Sequence, residues 1–160
     1  MKKETLKALH EKSGENYKRS LDYWVDKIWA SKTPPVQSDR VIGWTGEELN
    51  GKPVVAEFKD VNHAVGERKD RTAKGGTNQR VSKEWAKKIP QILAKPDSIY
   101  WDGENNTYLF FRKINNEREI KIALSNDKNF IRLKTLTLQQ YMQQQKGIRY
   151  ISGEKRTDNN

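Results

Sequence analysis

The sequence predicts an α+β fold: N-terminal helices followed by a four-stranded antiparallel sheet with a helix packed on one sheet face. Three observations carry this expectation. Tyr17, Leu21, Trp24, Val25, Ile28 and Trp29 recur at three-to-four-residue spacing, the mark of one apolar stripe on a helix, and Pro34-Pro35 lies beyond it, where no helix can continue. Ser82 is placed as the N-cap of SKEWAKKIPQIL, in which Trp85, Ile89, Ile92 and Leu93 share one face. The runs SIYW, TYLFFRKI, EIKIALS and NFIRLKTL are rich in β-branched and aromatic residues and are separated by DGENN, NNER and NDK, turn chemistry for an antiparallel meander.

Taken in order, the first thirty residues read as helix, loosened at Ser13-Gly14, and residues 31–40 read as a linker. Val41 to Asn50 is compatible with a turn or a capped helical start. Asn50-Gly51 is a strong turn dipeptide, and Pro53 to Phe58 reads as a short strand. The stretch VNHAVGERKDRTAKGGTNQR, charged and carrying Gly75-Gly76, reads as a mobile loop. Pro90 should bend or restart the 82–94 helix and Pro96 should end it. In the third strand Ile120, Ile122 and Leu124 alternate with Lys121 and Ala123, giving one buried and one polar face. The polar face of the sheet is expected to present Tyr108, Lys113 and Lys121. Thr137 should open a short helix through LQQYMQQQK that ends at Gly147, and SGEKRTDNN reads as disordered. The expected organisation is a helical segment over 1–33, a main domain over 41–150 and a tail over 151–160.

Composition excludes several classes of chemistry. Zero cysteines remove disulfides, thiolate metal sites and thiol nucleophiles, and with only His10 and His63 a histidine-rich metal centre is excluded. No run reaches the roughly 18 apolar residues of a membrane span, and MKKETLKALHEK has no apolar stretch behind its charges, so neither a membrane partner nor a secretory signal is expected. No glycine-rich phosphate loop and no two-metal carboxylate cluster appears, so no cofactor and no metal are expected. What stands out is charge. The chain carries 31 basic and 21 acidic residues, a formal net charge of +10, spread over both halves. A basic folded domain points to a polyanion, of which nucleic acid is the usual one; charge kept for solubility alone is the bland alternative.

One histidine has a neighbourhood that suits phosphate chemistry. His63 precedes a stretch, Arg68 to Lys88, with eight basic residues (Arg68, Lys69, Arg71, Lys74, Arg80, Lys83, Lys87 and Lys88) against Asp70 and Glu84. Metal-independent RNA cleavage needs a base near neutrality to take the ribose 2′-OH proton, and cations to hold the phosphate and its developing charge. From the local sequence alone, a structural or surface histidine among solvated charges is the favoured reading.

The stretch from His63 to about Ser125 resembles the phage-associated members of the barnase–EndoU–colicin–RelE-like nuclease group, found in phage minor head proteins and mobile-element effectors. The resemblance rests on the histidine, on a basic residue before a helix, on IPQILAKPDSIYWD, and on strands like TYLFFRKI and KIAL. It implies N-terminal helices before a four-stranded antiparallel sheet, and metal-independent RNA cleavage, with tRNA a frequent target in the wider group. His63 would match the family histidine and Arg80 the basic residue entering the helix; Lys69 and Thr135 are looser matches. Arg68, Arg71, Lys83, Lys87 and Tyr108 complete the expected RNA-contacting set. The segment between His63 and Arg80 departs from the group by a long glycine-containing insert.

Three functions therefore stay open. The first is a metal-independent ribonuclease, an effector acting in a host cytoplasm or carried with a virion. The second is a non-catalytic nucleic-acid-binding or virion-associated protein on the same fold. The third is an interaction module docking a partner, such as a phage head or immunity-type protein, through the aromatic helix at 17–29.

Overall fold

The computed structural model describes residues 17–67, 80–127, 130–141 and 147–156. The expected loop residues Arg68, Lys69, Arg71, Lys74, Gly75 and Gly76, and His10, lie outside them.

Helix α1, Leu21–Trp29, begins where the Ser20 hydroxyl accepts from the Tyr23 N–H and buries Leu21, Trp24, Val25 and Ile28. It ends in a Schellman turn: Ser31 N–H donates to the Ile28 carbonyl and Lys32 N–H to that of Lys27. Ser31 takes φ 56° there, a left-handed position usually given to glycine. Strands β1 (Arg40–Trp44) and β2 (Pro53–Ala56) form a hairpin closed by a 3₁₀ turn over Glu47–Leu49, then Asn50 and Gly51 at φ 58° and 59°.

Helix α2, Phe58–Val65, follows at once, where the sequence reads as a loop. Its Asp60 carboxylate accepts from the Glu57 N–H across the first turn, and Phe58, Val61, Ala64 and Val65 face inward. Four residues at helical spacing were thus enough to fold a segment whose charges suggest a loop. Ser82 caps helix α3 (Lys83–Lys87) by accepting from the Trp85 N–H, as expected; the chain breaks at Lys88 and restarts as α4 (Ile89–Ala94), with Pro90 in its first turn.

The expected meander exists as β3 (Ser98–Asp102), β4 (Thr107–Lys113), β5 (Arg118–Asn126) and β6 (Ile131–Gln140). The four-stranded antiparallel sheet does not. The sheet is curled, mixed and seven-stranded, in the order β1-β2-β6-β5-β4-β3-β7, and it is accompanied by four α-helices among the described residues. The β1–β2 hairpin joins through a parallel β2–β6 pair, Val54 opposite Ile131. Strand β7, Arg149–Gly153, pairs antiparallel with β3 at the other edge. The physical reason is edge pairing: both rims of a meander offer unsatisfied N–H and C=O groups, and the hairpin and C-terminal strand fill them.

Two local readings change with this. Residues 137–140 extend β6 instead of opening a helix, because Leu136 and Leu138 continue strand alternation into the core. The segment from residue 151 read as a tail includes the last three residues of β7, and Arg156 beyond it is 5% exposed. Gly153 (φ +86°) is required there, since a Cβ would collide with the Asp97 carbonyl.

The helices cover one face of the sheet and enclose the main core. Trp24, Val25, Val61, Val65, Ile89, Ile92 and Leu93 meet Ile99, Phe110, Ile120, Ile122, Leu124 and Ile131. A bulge at Lys134 (Ala123 opposite Thr135, Leu124 opposite Leu133) keeps both Leu133 and Leu136 on this face. The far face carries a smaller cluster of Tyr100, Leu109, Phe111 and Ala123, flanked by Ile148 and Tyr150.

Candidate functional site

The residues singled out by sequence fall in three places. His63 is exposed in the last turn of α2, on the outward side opposite Val61, Ala64 and Val65. Arg80 docks against the same end of that helix. Its Nε–H donates to the Val65 carbonyl at 2.9 Å, a cation against the negative end of the helix dipole. The guanidinium carbon lies 3.9 Å from the Trp29 ring centroid, and Nη1 is 3.4 Å from a Glu67 carboxylate oxygen. The ring contact, the carbonyl bond and the Glu67 carboxylate together hold the guanidinium in place.

That guanidinium forms one wall of an open groove of about 240 Å³ between the C-terminal ends of α1 and α2. Ile28, Trp29 and Ser31 line it from α1 and its Schellman turn, Asn62 and Glu67 from α2 and the residues after it. Asn62, and not His63, is the α2 side chain that faces the groove. Sequence reasoning missed Trp29, Asn62 and Glu67 as lining residues. Trp29 was legible as an aromatic at the end of an amphipathic helix, but its pairing with Arg80, fifty-one positions away, was not.

Lys83 and Lys87 lie elsewhere. Both ammonium groups pair with one Asp26 carboxylate oxygen, at 3.0 and 2.9 Å, and the Tyr17 hydroxyl donates to the other. The Lys87 hydrogen bond is the main cause holding the Asp26 carboxyl below the usual carboxylate range, with Lys83 adding to it. These lysines are committed to an intramolecular cluster, at side-chain exposures of 46% and 34%. Any phosphate would compete with Asp26 for them.

Thr135 and Tyr108 do not join His63. Thr135 is paired with Ala123 and so belongs to the far face, across the sheet from α2. Tyr108, expected on the polar face with Lys113 and Lys121, packs instead against the main core beside Trp101, ring centroids 4.7 Å apart. Lys113 and Lys121 do alternate onto the far face, with Phe111. Lys69, Arg68 and Arg71 lie outside the described residues.

A second polar assembly organises the loop before β1. Arg132 on β6 donates to both oxygens of Asp39 at 2.9 and 2.8 Å and reaches Asp60 of the α2 capping turn at 3.3 Å. This bidentate bond is the main cause lowering the Asp39 pKa, and it holds Arg132 protonated. Among the described residues no group of three His, Asp or Glu could hold a metal ion, and no helix is long and apolar enough to cross a membrane. Compared with protein-family models, with curated proteins and with solved structures, the chain matches none.

Proposed function

We propose that the protein binds single-stranded nucleic acid, RNA foremost, through the groove between α1 and α2. The observation that carries this reading is the Arg80 guanidinium held over the Trp29 ring at the wall of an open groove, in a chain of net charge +10. A guanidinium held in place is a stacking surface for an unpaired base and a donor to phosphate at once. Asn62 and Ser31 add short-range donors and acceptors, and Glu67 an acceptor for exocyclic amines.

Metal-independent cleavage is the second reading, favoured by the exposure of His63 on the helix whose end Arg80 caps. In it, His63 takes the 2′-OH proton, the 2′-oxygen attacks phosphorus, and the 5′-oxygen leaves with a proton to give a 2′,3′-cyclic phosphate. Arg80 would offset the charge gained on the phosphoryl oxygens. Neither Thr135 nor the Asp26-bound lysines enter this scheme.

Anisotropy of a labelled single-stranded RNA across a salt series tests binding. Affinity should fall as a power of salt concentration. Arg80→Ala should weaken it by about tenfold or more, and Arg80→Lys should recover only part, because charge returns without the plane. Binding that is absent at low salt, or unchanged in Arg80→Ala, refutes the groove. Incubation of total RNA in EDTA separates the two readings. Cyclic-phosphate ends that diminish by roughly 10²–10⁴-fold in His63→Ala establish cleavage, while intact RNA leaves binding alone.

A further inference from the structure

The far face of the sheet holds a binding pocket already occupied by the chain itself. Glu119 on β5 is fully buried (0% exposed), and Arg156, the last described residue, is 5% exposed. The Arg156 guanidinium bonds the Glu119 carboxylate through Nη2. The other carboxylate oxygen accepts from Gln139 Nε2 at 2.9 Å, so Glu119 is held in orientation by a β6 residue whatever the tail does. The guanidinium carbon lies 3.7 Å from the Phe111 ring centroid and 5.0 Å from that of Tyr141. The backbone N–H of Arg156 donates to the Tyr100 hydroxyl at 2.7 Å. A buried carboxylate, an orienting amide and two aromatic faces are what recognition of a guanidinium demands: a planar acceptor in its plane and π density above it.

The segment that delivers Arg156 is attached at the rim of the sheet, where beyond the strand pairing the Glu154 N–H donates to the Asp97 carbonyl at 2.7 Å and the Glu154 carboxylate meets Lys113 at 3.4 Å. Strand β7 lies at the sheet edge, pairs only with β3, and carries a register shift between Ile99 and Tyr100. None of its residues is fully buried. The walls, by contrast, belong to the interior strands β4, β5 and β6, apart from Tyr141, which directly follows β6. Nothing in the pocket's chemistry requires the arginine to come from this chain.

We propose that this pocket is an arginine-recognition site, filled in cis by Arg156, which an arginine side chain of another polypeptide can occupy when the C-terminal segment is displaced. The segment is then both a latch and a self-ligand, and the partner is a peptide bearing an arginine. This site is across the sheet from the groove and does not depend on nucleic-acid binding.

Chemical rescue in the full-length chain tests it. Arg156→Ala should melt well below the wild type, and millimolar ethylguanidinium or N-acetyl-argininamide should raise its melting temperature saturably. Ethylammonium should not, and the wild type should respond to none of the three. Rescue should vanish when Glu119→Gln is added, since the pocket then lacks its charge. If Arg156→Ala is insoluble, Arg156→Lys read in the same way serves, because it keeps the pairing charge and lacks the plane. Equal responses to guanidinium and ammonium, or rescue that survives Glu119→Gln, would overturn the proposal, as would an Arg156→Ala protein as stable as the wild type. Competition by a synthetic peptide with the sequence of residues 149–156 reports exchange in trans. Its failure to displace bound N-acetyl-argininamide from the variant would remove the partner-docking part.

Discussion

The two faces of the sheet are stabilised by different physics although the same strands build both. On the helical face the contacts are mainly apolar and continuous, from Trp24 through Phe110 to Ile131, with the Arg40 guanidinium at the margin over Trp24, and removal from water is the main driving force. On the far face a four-residue cluster is completed by one buried ion pair and a hydroxyl, and its cover comes partly from the C-terminal segment. Apolar packing tolerates volume-conserving exchange of one apolar side chain for another; a buried charge tolerates no loss of its partner, because that leaves an uncompensated ion. The far face is therefore the more specific of the two and the less robust, which is why the described C-terminus can be both peripheral in the sheet and critical to it.

Neighbouring phenylalanines on β4 offer the sharpest way to break this comparison. Phe110 is fully buried in the main core, and Phe111, 5% exposed, lies under the Arg156 guanidinium. Phe110→Ala should cost about 3–5 kcal/mol through the cavity it leaves, measured by denaturant unfolding. Phe111→Ala should cost less, and combined with Arg156→Ala it should be clearly non-additive. Equal costs with simple additivity would mean that the faces do not differ in the way described.

A smaller effect is expected at the Asp39–Arg132 bond, which ties the loop before β1 to β6. Asp39→Asn should lose about 1–2 kcal/mol at neutral pH, the scale of a hydrogen bond to a charged group. The sign with pH is fixed by the direction of the shift. Asp39 has a folded pKa below its unfolded value, so its stabilisation is complete above the ordinary carboxylate range. It fades as the pH falls through the folded value. Wild type and Asp39→Asn should converge in acid; curves that stay parallel down to strong acid would show that the pair contributes nothing through charge.

The smallest expected effect is a gain. Ser31→Gly should stabilise by about 0.5–1 kcal/mol, since glycine relieves the left-handed φ at the Schellman turn. Because Ser31 also lines the groove, the variant should bind RNA more weakly if its hydroxyl contacts the ligand. Unchanged affinity would limit Ser31 to the turn.

The legible parts of this protein were those with short-range causes. Ser82 capping α3, the helical restart just before Pro90, the Asn50-Gly51 turn and the four meander strands each follow from residues within one or two turns of one another. Helix α2 was legible too, in the spacing of Phe58, Val61 and Val65, and was masked by the charges among them. The bulge at Lys134 shows as a phase change, apolar 131 and 133 giving way to 136 and 138. The site divides along the same line. The basic balance and the choice of His63 and Arg80 as candidates need only sequence, whereas the exposure of His63 and the company each residue keeps do not follow from it.

By itself, then, the sequence determined the charge, the lack of thiols and of an apolar run as long as a spanning helix, and the local elements, because propensity, capping and periodicity act over a few residues. Tertiary structure alone decided that the sheet has seven strands, that Thr135 faces away from His63, that Lys83 and Lys87 are bound to Asp26, and that Arg156 fills a pocket under Phe111. Each of these joins residues far apart in the chain. Such contacts are set by which strand edges remain unpaired and which buried charge still needs a partner once the local elements have packed.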